Sequence, residues 1–346
     1  MRAERATASL AICALDCRGE RSDGDEPAHV QSHRHMNAVF VDATPALASF
    51  AHELLRVDGI AFRINRDSDV RPDALPALLA GAVVAIVDHT PVPTAIAKQC
   101  VDLRHVIFLG TGARSYMSVE ELAALGIHVH VIKGYGDTAV AECAIALMWA
   151  AARGIARMDR EMRGGTWLRT EGIELTGRTL GLVGFGSIAT EVARIALGGG
   201  MRVIAWNRSA KTHAGVAFVS LERLLAESDV VSMHLLLSDE TRGILSRARI
   251  ALMRPGAILV NTARGALVDE AAMIDALRDG HLRHAGLDVY DVEPLPPGHA
   301  LTTLPNVTLS AHSAFRTPEA NRNLIGAARE HCRRIVGETR SGAAGW

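Results

Sequence analysis

Residues 180–208 read LGLVGFGSIATEVARIALGGGMRVIAWNR. The run Thr179–Val183 is short and apolar, as a buried parallel strand requires. It leads into Gly184-Phe185-Gly186-Ser187-Ile188-Ala189, then an alanine-rich helical stretch, then a second apolar run, Arg202–Trp206. Together these form a strand–helix–strand unit that opens with G-x-G-x-x-A. Gly184 permits the tight turn, Gly186 lets the backbone come close to a pyrophosphate, and Ala189 lets the helix pack tightly on the sheet. The unpaired N–H groups at the helix start, at Ser187 and Ile188, act with the helix dipole to hold phosphate charge. A glycine turn in an ordinary α/β fold is the plainer alternative. The strands on both sides favour a dinucleotide site.

The same alternation runs outward in both directions. Before the fingerprint, strands are expected at Asn37–Val41, Ile60–Ile64, Val83–Val87, Val106–Leu109 and Ile127–Ile132. Helices are expected at Pro45–Leu55, Leu75–Leu79 and Val119–Leu125. Gly134-Tyr135-Gly136-Asp137 is a break, followed by one long helix over Thr138–Arg160. That helix is apolar nearly all round, so it is expected to be buried between domains or between subunits. After Arg208, strands are expected at Val230–Leu237, Ala257–Val260, Leu287–Tyr290 and Val307–Ser310. Helices are expected at Leu221–Ala226, Ser246–Leu252, Glu270–Asp279 and Pro318–Val336. Strands alternating with helices imply parallel sheets covered on their faces, so the fold class is α/β.

At 346 residues the chain has room for two domains of roughly 100–200 residues each. Its net charge of −1 gives no electrostatic reason to expect nucleic acid or an anionic membrane as partner. No apolar run approaches the roughly 18 residues that a membrane span needs. The five cysteines, Cys13, Cys17, Cys100, Cys143 and Cys332, are scattered and form no paired metal motif. A reduced, cytoplasmic protein without a structural metal is the expectation. Residues 1–35 read differently, with Arg2 and Arg5 before a short apolar stretch and a His-rich end. The targeting pattern is weak, so a disordered extension is expected, with Met36 as the functional start.

Four later segments coincide with the fingerprint. They are Asp229-Val230-Val231-Ser232-Met233-His234, Asn261-Thr262-Ala263-Arg264-Gly265, Gly286-Leu287-Asp288-Val289-Tyr290-Asp291-Val292-Glu293-Pro294, and Pro305-Asn306-Val307 through His312. In this order the chain resembles the D-isomer-specific 2-hydroxyacid dehydrogenase family over nearly all of residues 36–336. The resemblance implies two Rossmann-like domains. A flavodoxin-like catalytic domain, discontinuous over 36–136 and 316–346, would carry an inserted NAD(P)-binding Rossmann domain over 137–315. It also implies hydride transfer between NAD(P) and a small 2-hydroxy or 2-oxo acid. A homodimer formed through the helix after Thr138 is a further expectation. The rival is a nucleotide-sensing regulator or binding protein on the same fold, which fold alone does not exclude.

The resemblance assigns residues one by one. Arg264 stands where the family binds and polarises the substrate, which suits a guanidinium fork on a carboxylate. His312 stands where the family exchanges a proton, and imidazole chemistry suits both directions near neutrality. Glu293 stands where a carboxylate orients that ring. Asp288 matches the residue that holds the nicotinamide amide, or else it caps a loop. His234 and Thr262 fall at cofactor positions. Leu109-Gly110-Thr111 keeps the glycine pattern whose N–H groups bind the substrate carboxylate.

The chain also departs from the family. Asn207 replaces the acid that ends the second strand, and Arg208 follows it. Losing that carboxylate removes repulsion toward a 2′-phosphate, so the expectation leans to NADP, with NAD also possible in dual use. Arg114-Ser115-Tyr116-Met117 stands where the family carries an acidic run. Lys133 stands near the hinge, either as an extra cation that favours a second acidic group on the substrate or as a solvent-facing residue.

Overall fold

A computed structural model describes residues 35–341. The expected extension, with Cys13, Cys17 and the His-rich stretch, lies outside the described residues except for His35. The chain forms two sheets in which all paired named strands run parallel. The first contains β1 (Met36–Phe40), β2 (Ile60–Ile64), β3 (Val84–Val87), β4 (His105–Phe108) and β5 (His128–Val131), in the order β2-β1-β3-β4-β5. The second contains β6 (Thr179–Val183), β7 (Arg202–Trp206), β8 (Val216–Phe218), β9 (Val230–Met233), β10 (Ala257–Asn261), β11 (Leu282–Leu287) and β12 (Val307–Leu309). Its order is β12-β11-β10-β9-β6-β7-β8. Every residue of β3, β4, β6, β9 and β10 is buried, as strands covered on both faces demand.

Helices cover these faces. In the first half they are α1 (Pro45–Leu54), α2 (Leu75–Leu78), α3 (Thr94–Ala97) and α4 (Val119–Ala124). Then come α5 (Asp137–Arg153), α6 (Ile155–Arg163), α7 (Ser187–Gly198), α8 (Leu221–Glu227), α9 (Arg247–Leu252), α10 (Glu270–Arg278), α11 (Ala300–Thr303) and α12 (Pro318–Arg340). The last helix returns to the first sheet. Its Leu324, Ile325, Ala328, Cys332 and Ile335 share one core with Phe40, Ile86 and Ile107. In each sheet the chain starts in the middle, winds outward, and then crosses to the other side. That reversal, between β1 and β3 and between β6 and β9, opens a crevice at the carboxyl ends of the strands.

Several expected elements differ. The long helix after Thr138 is two helices bent by 68° at Gly154, which adopts φ +63. A left-handed glycine caps α5 by closing its last turn, so the helical pattern cannot run through it. Only α5 is buried, against α7 and the second sheet, whereas α6 has no buried residue. The strand expected at Val230–Leu237 stops at Met233, because His234 turns to close over Gly184. The strand expected at Leu287–Tyr290 lies earlier, at Leu282–Leu287. Arg283 and His284 hid it: Arg283 faces solvent, and His284 is buried with its Nε2 2.9 Å from Thr308 Oγ1. The short edge strand β8 gave no pattern of its own. No single helix among the described residues is long and apolar enough to cross a membrane.

Candidate active site

Both glycines of the fingerprint are explained by their surroundings. Gly184 takes φ +93, and a Cβ there would stand 2.6 Å from the His234 carbonyl oxygen. Gly186 has nothing within 4 Å of its Cβ position, so its backbone is open to a close ligand. Ala189, in the first turn of α7, is fully buried. Ser187 and Ile188 begin α7 and present its unpaired N–H groups. Farther along the crevice, Thr262 is buried and its hydroxyl has no hydrogen-bond partner among the described residues. A buried orphan hydroxyl is costly unless a ligand or water completes it. A pyrophosphate at α7 and a polar group at Thr262 fit the same elongated dinucleotide. His234, expected at a cofactor position, sits against the glycine turn. Its Nε2 lies 2.9 Å from Ser232 Oγ, burial pushes its pKa down to about 4, and its carbonyl packs on the glycine turn.

The end of β7 carries no carboxylate. Asn207 instead knits the glycine loop together. Its Oδ1 accepts Phe185 N–H at 3.2 Å, and its Nδ2 donates to the Ser209 carbonyl and hydroxyl at 3.0 and 2.9 Å. Arg208 is exposed and ion-paired with Glu240. Lys211, which the motif reading missed, donates from Nζ to the Phe185 carbonyl at 2.6 Å. Two cations therefore flank the loop where a ribose 2′ substituent would lie.

At the ends of β10, β11 and β12, three loops bring Arg264, Glu293 and His312 into one region. Asn261 shapes the first loop: its Nδ2 donates to the Arg264 carbonyl at 2.9 Å and its Oδ1 accepts Ala263 N–H at 3.0 Å. Gly265 is pressed against the second loop. A Cβ there would be 2.0 Å from the Tyr290 carbonyl carbon and 2.4 Å from Asp291 N. In that second loop Glu293 Oε1 accepts Tyr290 N–H at 2.9 Å, and its Oε2 lies 2.6 Å from His312 Nδ1. Burial pushes the Glu293 pKa up, but the hydrogen bonds from His312 and Tyr290 and the charges of His312 and Arg264 outweigh it and hold it low. His312 Nε2 makes no hydrogen bond to the described residues.

Asp288 serves the loop-capping alternative. It is fully buried. Its carboxylate accepts Ser310 Oγ–H at 2.6 Å, Ser313 N–H at 2.9 Å and Ala314 N–H at 2.9 Å. Its carbonyl accepts His312 N–H at 2.8 Å. These bonds hold His312 at φ +48, a left-handed conformation that a side chain resists.

The first sheet closes the other side. Arg264 Nη1 donates to the Ala263 carbonyl at 2.6 Å, and Nη2 stands 3.2 Å from the Cβ position of Gly112. The guanidinium thus spans from one sheet to the glycine loop of the other. Within that loop the donors differ from the expectation. Leu109 N–H is committed to the Val87 carbonyl, which extends the β3–β4 ladder, and Gly110 N–H to Phe108. The N–H groups of Thr111 and Gly112 are the ones without a partner among the described residues. Lys133 is exposed and has no ion pair or hydrogen bond among them, and Arg114 is paired with Glu120 on the surface. The Arg114 charge is thus engaged by Glu120.

Residues that no motif marked complete the rim. Asp42 is buried and accepts the N–H groups of Asp88, His89 and Thr90 at 2.7–2.8 Å, fixing the turn after β3. His89 lies 3.1 Å from Asp88 and 2.6 Å from the Ser68 carbonyl. The Asp88 hydrogen bond outweighs burial and, with the charges of Asp42 and Asp88, lifts its pKa to about 9. Tyr116 and Tyr135 lie nearby, both half-buried. The assembled site holds a guanidinium beside free N–H donors and an imidazole oriented by a carboxylate. Such a set can bind a carboxylate, polarise the adjacent carbonyl and move a proton to its oxygen.

Residues 145–314 match the family model described as D-isomer specific 2-hydroxyacid dehydrogenase, NAD binding domain. A glyoxylate reductase of Aeropyrum pernix is 41% identical over 249 residues, covering 68% of this chain and 74% of the relative. A hydroxypyruvate reductase of Thermotoga maritima is 38% identical over 247 residues, covering 70% and 80%. Among solved structures, an acyclic imino acid reductase in complex with NADPH and D-Arg superposes with a TM-score of 0.76 at 28% identity. That match covers 88% of this chain and 98% of the other.

Proposed function

This chain belongs to the D-isomer specific 2-hydroxyacid dehydrogenase family, and from that premise we propose how its residues divide the work. The protein is an NAD(P)-linked oxidoreductase of small 2-hydroxy and 2-oxo acids. The substrate carboxylate binds at Arg264 and the Thr111 and Gly112 N–H groups, and the same guanidinium draws charge from the neighbouring carbonyl. His312 gives a proton from Nε2 to that oxygen in reduction and takes it back in oxidation. Glu293 at Nδ1 orients the ring and leaves Nε2 as the reactive nitrogen. When bound, the nicotinamide supplies or accepts the hydride. Ser187, Ile188 and Thr262 would hold the cofactor. Asp288 acts by fixing the His312 loop.

The observation that carries this reading is the 2.6 Å Glu293–His312 pair, on loops locked to that of Arg264. The relatives point to glyoxylate and hydroxypyruvate as the first substrates to try. NADPH is the preferred reductant in this reading, because Arg208 and Lys211 stand where Asn207 has removed the carboxylate. A panel of glyoxylate, hydroxypyruvate, pyruvate and phenylpyruvate with both reduced cofactors tests it. Tenfold or greater preference for NADH, roughly 1.4 kcal/mol, overturns the cofactor part. Pairing of two copies through α5 and α6 belongs to the same proposal, since Ile155 and Met162 on α6 and Trp167 just after it are exposed apolar residues. Sedimentation as a monomer at working concentration removes it.

A further inference from the structure

The amino ends of the second sheet, opposite the catalytic crevice, carry a cluster of arginines. Thr179 begins β6 and Arg202 begins β7, side by side in the sheet. Arg202 Nη2 donates to Thr179 Oγ1 at 2.7 Å. Thr179 N–H donates to Asp229 Oδ2 at 2.9 Å, just before β9. The other oxygen of that carboxylate, Oδ1, accepts Arg178 Nη1 at 3.3 Å and Arg254 Nη1 at 3.0 Å. One carboxylate thus serves two guanidinium groups, and its side chain is only 12% exposed. A third guanidinium, that of Arg202, meets a hydroxyl and no carboxylate among the described residues.

The charges do not balance. Three cations share one carboxylate, which leaves two positive charges uncompensated. Arg202 and Arg254 line a cleft of about 980 Å³, together with Arg223 and Glu227. Glu227 is held by Arg223 at 2.7 Å, so it does not offset the others. Leu197 of α7 and Val216 of β8 give the cleft an apolar wall. Gly215 brings β8 onto that wall, because its Cβ position is 3.0 Å from Leu197 Cδ1. Like charges gathered in a concave surface raise its potential and draw counter-charge into it. Guanidinium groups offer forked donors that match the oxygens of phosphate and carboxylate. Arg178 and Arg254 are already anchored by Asp229, so little side-chain freedom is left to lose on binding.

We propose that this cleft is a second anion site, for a small organic molecule with a doubly charged oxyanion head on an apolar body. A phosphate monoester and a dicarboxylate share that chemistry. The head binds at Arg202 and Arg254, and the body lies on Leu197 and Val216. The site is separate from the crevice of Arg264 and His312, because it sits at the opposite ends of the strands. It does not depend on the reaction carried out there. A lost hydrogen bond to a charged group corresponds to about a tenfold loss of binding or more.

The probe is phenyl phosphate, titrated calorimetrically into the full chain with NADPH bound, so that the phosphate-binding end of α7 is filled. Inorganic phosphate tests the apolar wall, and phthalate, a dicarboxylate on the same ring, tests the head group. Phenyl phosphate is expected to bind at least about threefold more tightly than inorganic phosphate. Arg202→Gln keeps a donor for Thr179 and removes the charge. It should raise the Kd of phenyl phosphate and of phthalate about tenfold, with NADPH affinity unchanged and Tm within about 2 °C of wild type. Arg254→Gln reads the same site from a second residue and should weaken binding likewise. The tighter of phenyl phosphate and phthalate identifies the preferred head group. No binding of either probe up to about 10 mM overturns the proposal, as does an unchanged Kd in Arg202→Gln and Arg254→Gln. Phenyl phosphate bound no more tightly than inorganic phosphate overturns it too. A loss that appears instead in Arg208→Ala or Arg264→Gln also overturns it, because the anion then lies in the crevice.

Discussion

Asp288→Asn is a small change with a large expected effect. The Asp288 carboxylate is fully buried and takes three hydrogen bonds from Ser310, Ser313 and Ala314, all at 2.9 Å or less. An asparagine has one oxygen. If that oxygen keeps Ser310 and Ser313, the new NH2 group faces the Ala314 N–H, donor against donor. If the amide flips, two bonds are lost instead of one. A hydrogen bond to a buried charge is worth about 1.5–3 kcal/mol, and each buried donor left unpaired costs about 1–3 kcal/mol. The expected destabilisation is therefore about 3–5 kcal/mol, which lowers Tm by something on the order of 10 °C. The same bonds hold His312 at φ +48, so the loop should relax and carry Nε2 away from the substrate. A displacement of about 1 Å at a reacting group can reduce kcat about a hundredfold. Thermal melting and steady-state reduction of glyoxylate read the two effects on one sample. Ser310→Ala, which removes one donor and leaves the carboxylate bound to two N–H groups, should show a fraction of each. A Tm within about 2 °C of wild type and an undiminished kcat in Asp288→Asn would refute the clamp.

Other perturbations follow from the same geometry. Gly265→Ala drives a methyl to 2.0 Å from the Tyr290 backbone, so the Arg264 and Glu293 loops must part, and kcat/KM should fall at least tenfold; wild-type activity would show that the loops are not locked. Arg208→Ala and Lys211→Ala should each raise the NADPH KM about tenfold with little change for NADH, whereas Glu240→Gln, by freeing Arg208, should lower it; equal effects on both cofactors would count against a 2′-phosphate site. Stability should fall as pH drops from 6.5 toward about 4. His105, His130, His234 and His284 have folded values near 4, below their ordinary 6.5, so the unfolded chain takes up protons first. His89 works with the opposite sign: its folded value near 9 adds stability below 6.5 that is lost as pH rises through 9, by a small amount because the group is partly exposed. Melting curves across that range check both, and a flat Tm from 6.5 to 4 would contradict the first.

The fingerprint was readable because backbone geometry forces it. Only glycine fits at 184, under the His234 carbonyl, and only glycine fits at 265, against Tyr290. Buried parallel strands were readable for a related reason, since two covered faces leave a continuous apolar run. The break at Gly154 was not, because a single glycine in an alanine-rich helix costs only about 1 kcal/mol and sequence alone does not reveal its left-handed φ. The strand Leu282–Leu287 was displaced in the reading because His284, polar by type, is buried and satisfied by Thr308 from the neighbouring strand. Arg264, Glu293 and His312 stood out through long ordered motifs. Asp42 and Lys211 did not, since their roles come from partners that only the folded chain brings near: the turn after β3 and the Phe185 carbonyl. Arg114 shows the reverse, a charge whose position in the chain suggests the cleft and whose side chain is paired with Glu120 on the surface.

The central claim is that Arg264, His312 and Glu293 reduce a short 2-oxo acid at a dinucleotide site. The most direct measurement is NADPH-dependent reduction of glyoxylate and hydroxypyruvate by the wild type and by His312→Ala, with binding of oxamate, an unreactive 2-oxo acid mimic, measured on both. The expected result is steady turnover by the wild type and a loss of at least about a hundredfold in His312→Ala, with oxamate still bound. No turnover of any short 2-oxo acid by the wild type, or full turnover by His312→Ala, would contradict the claim.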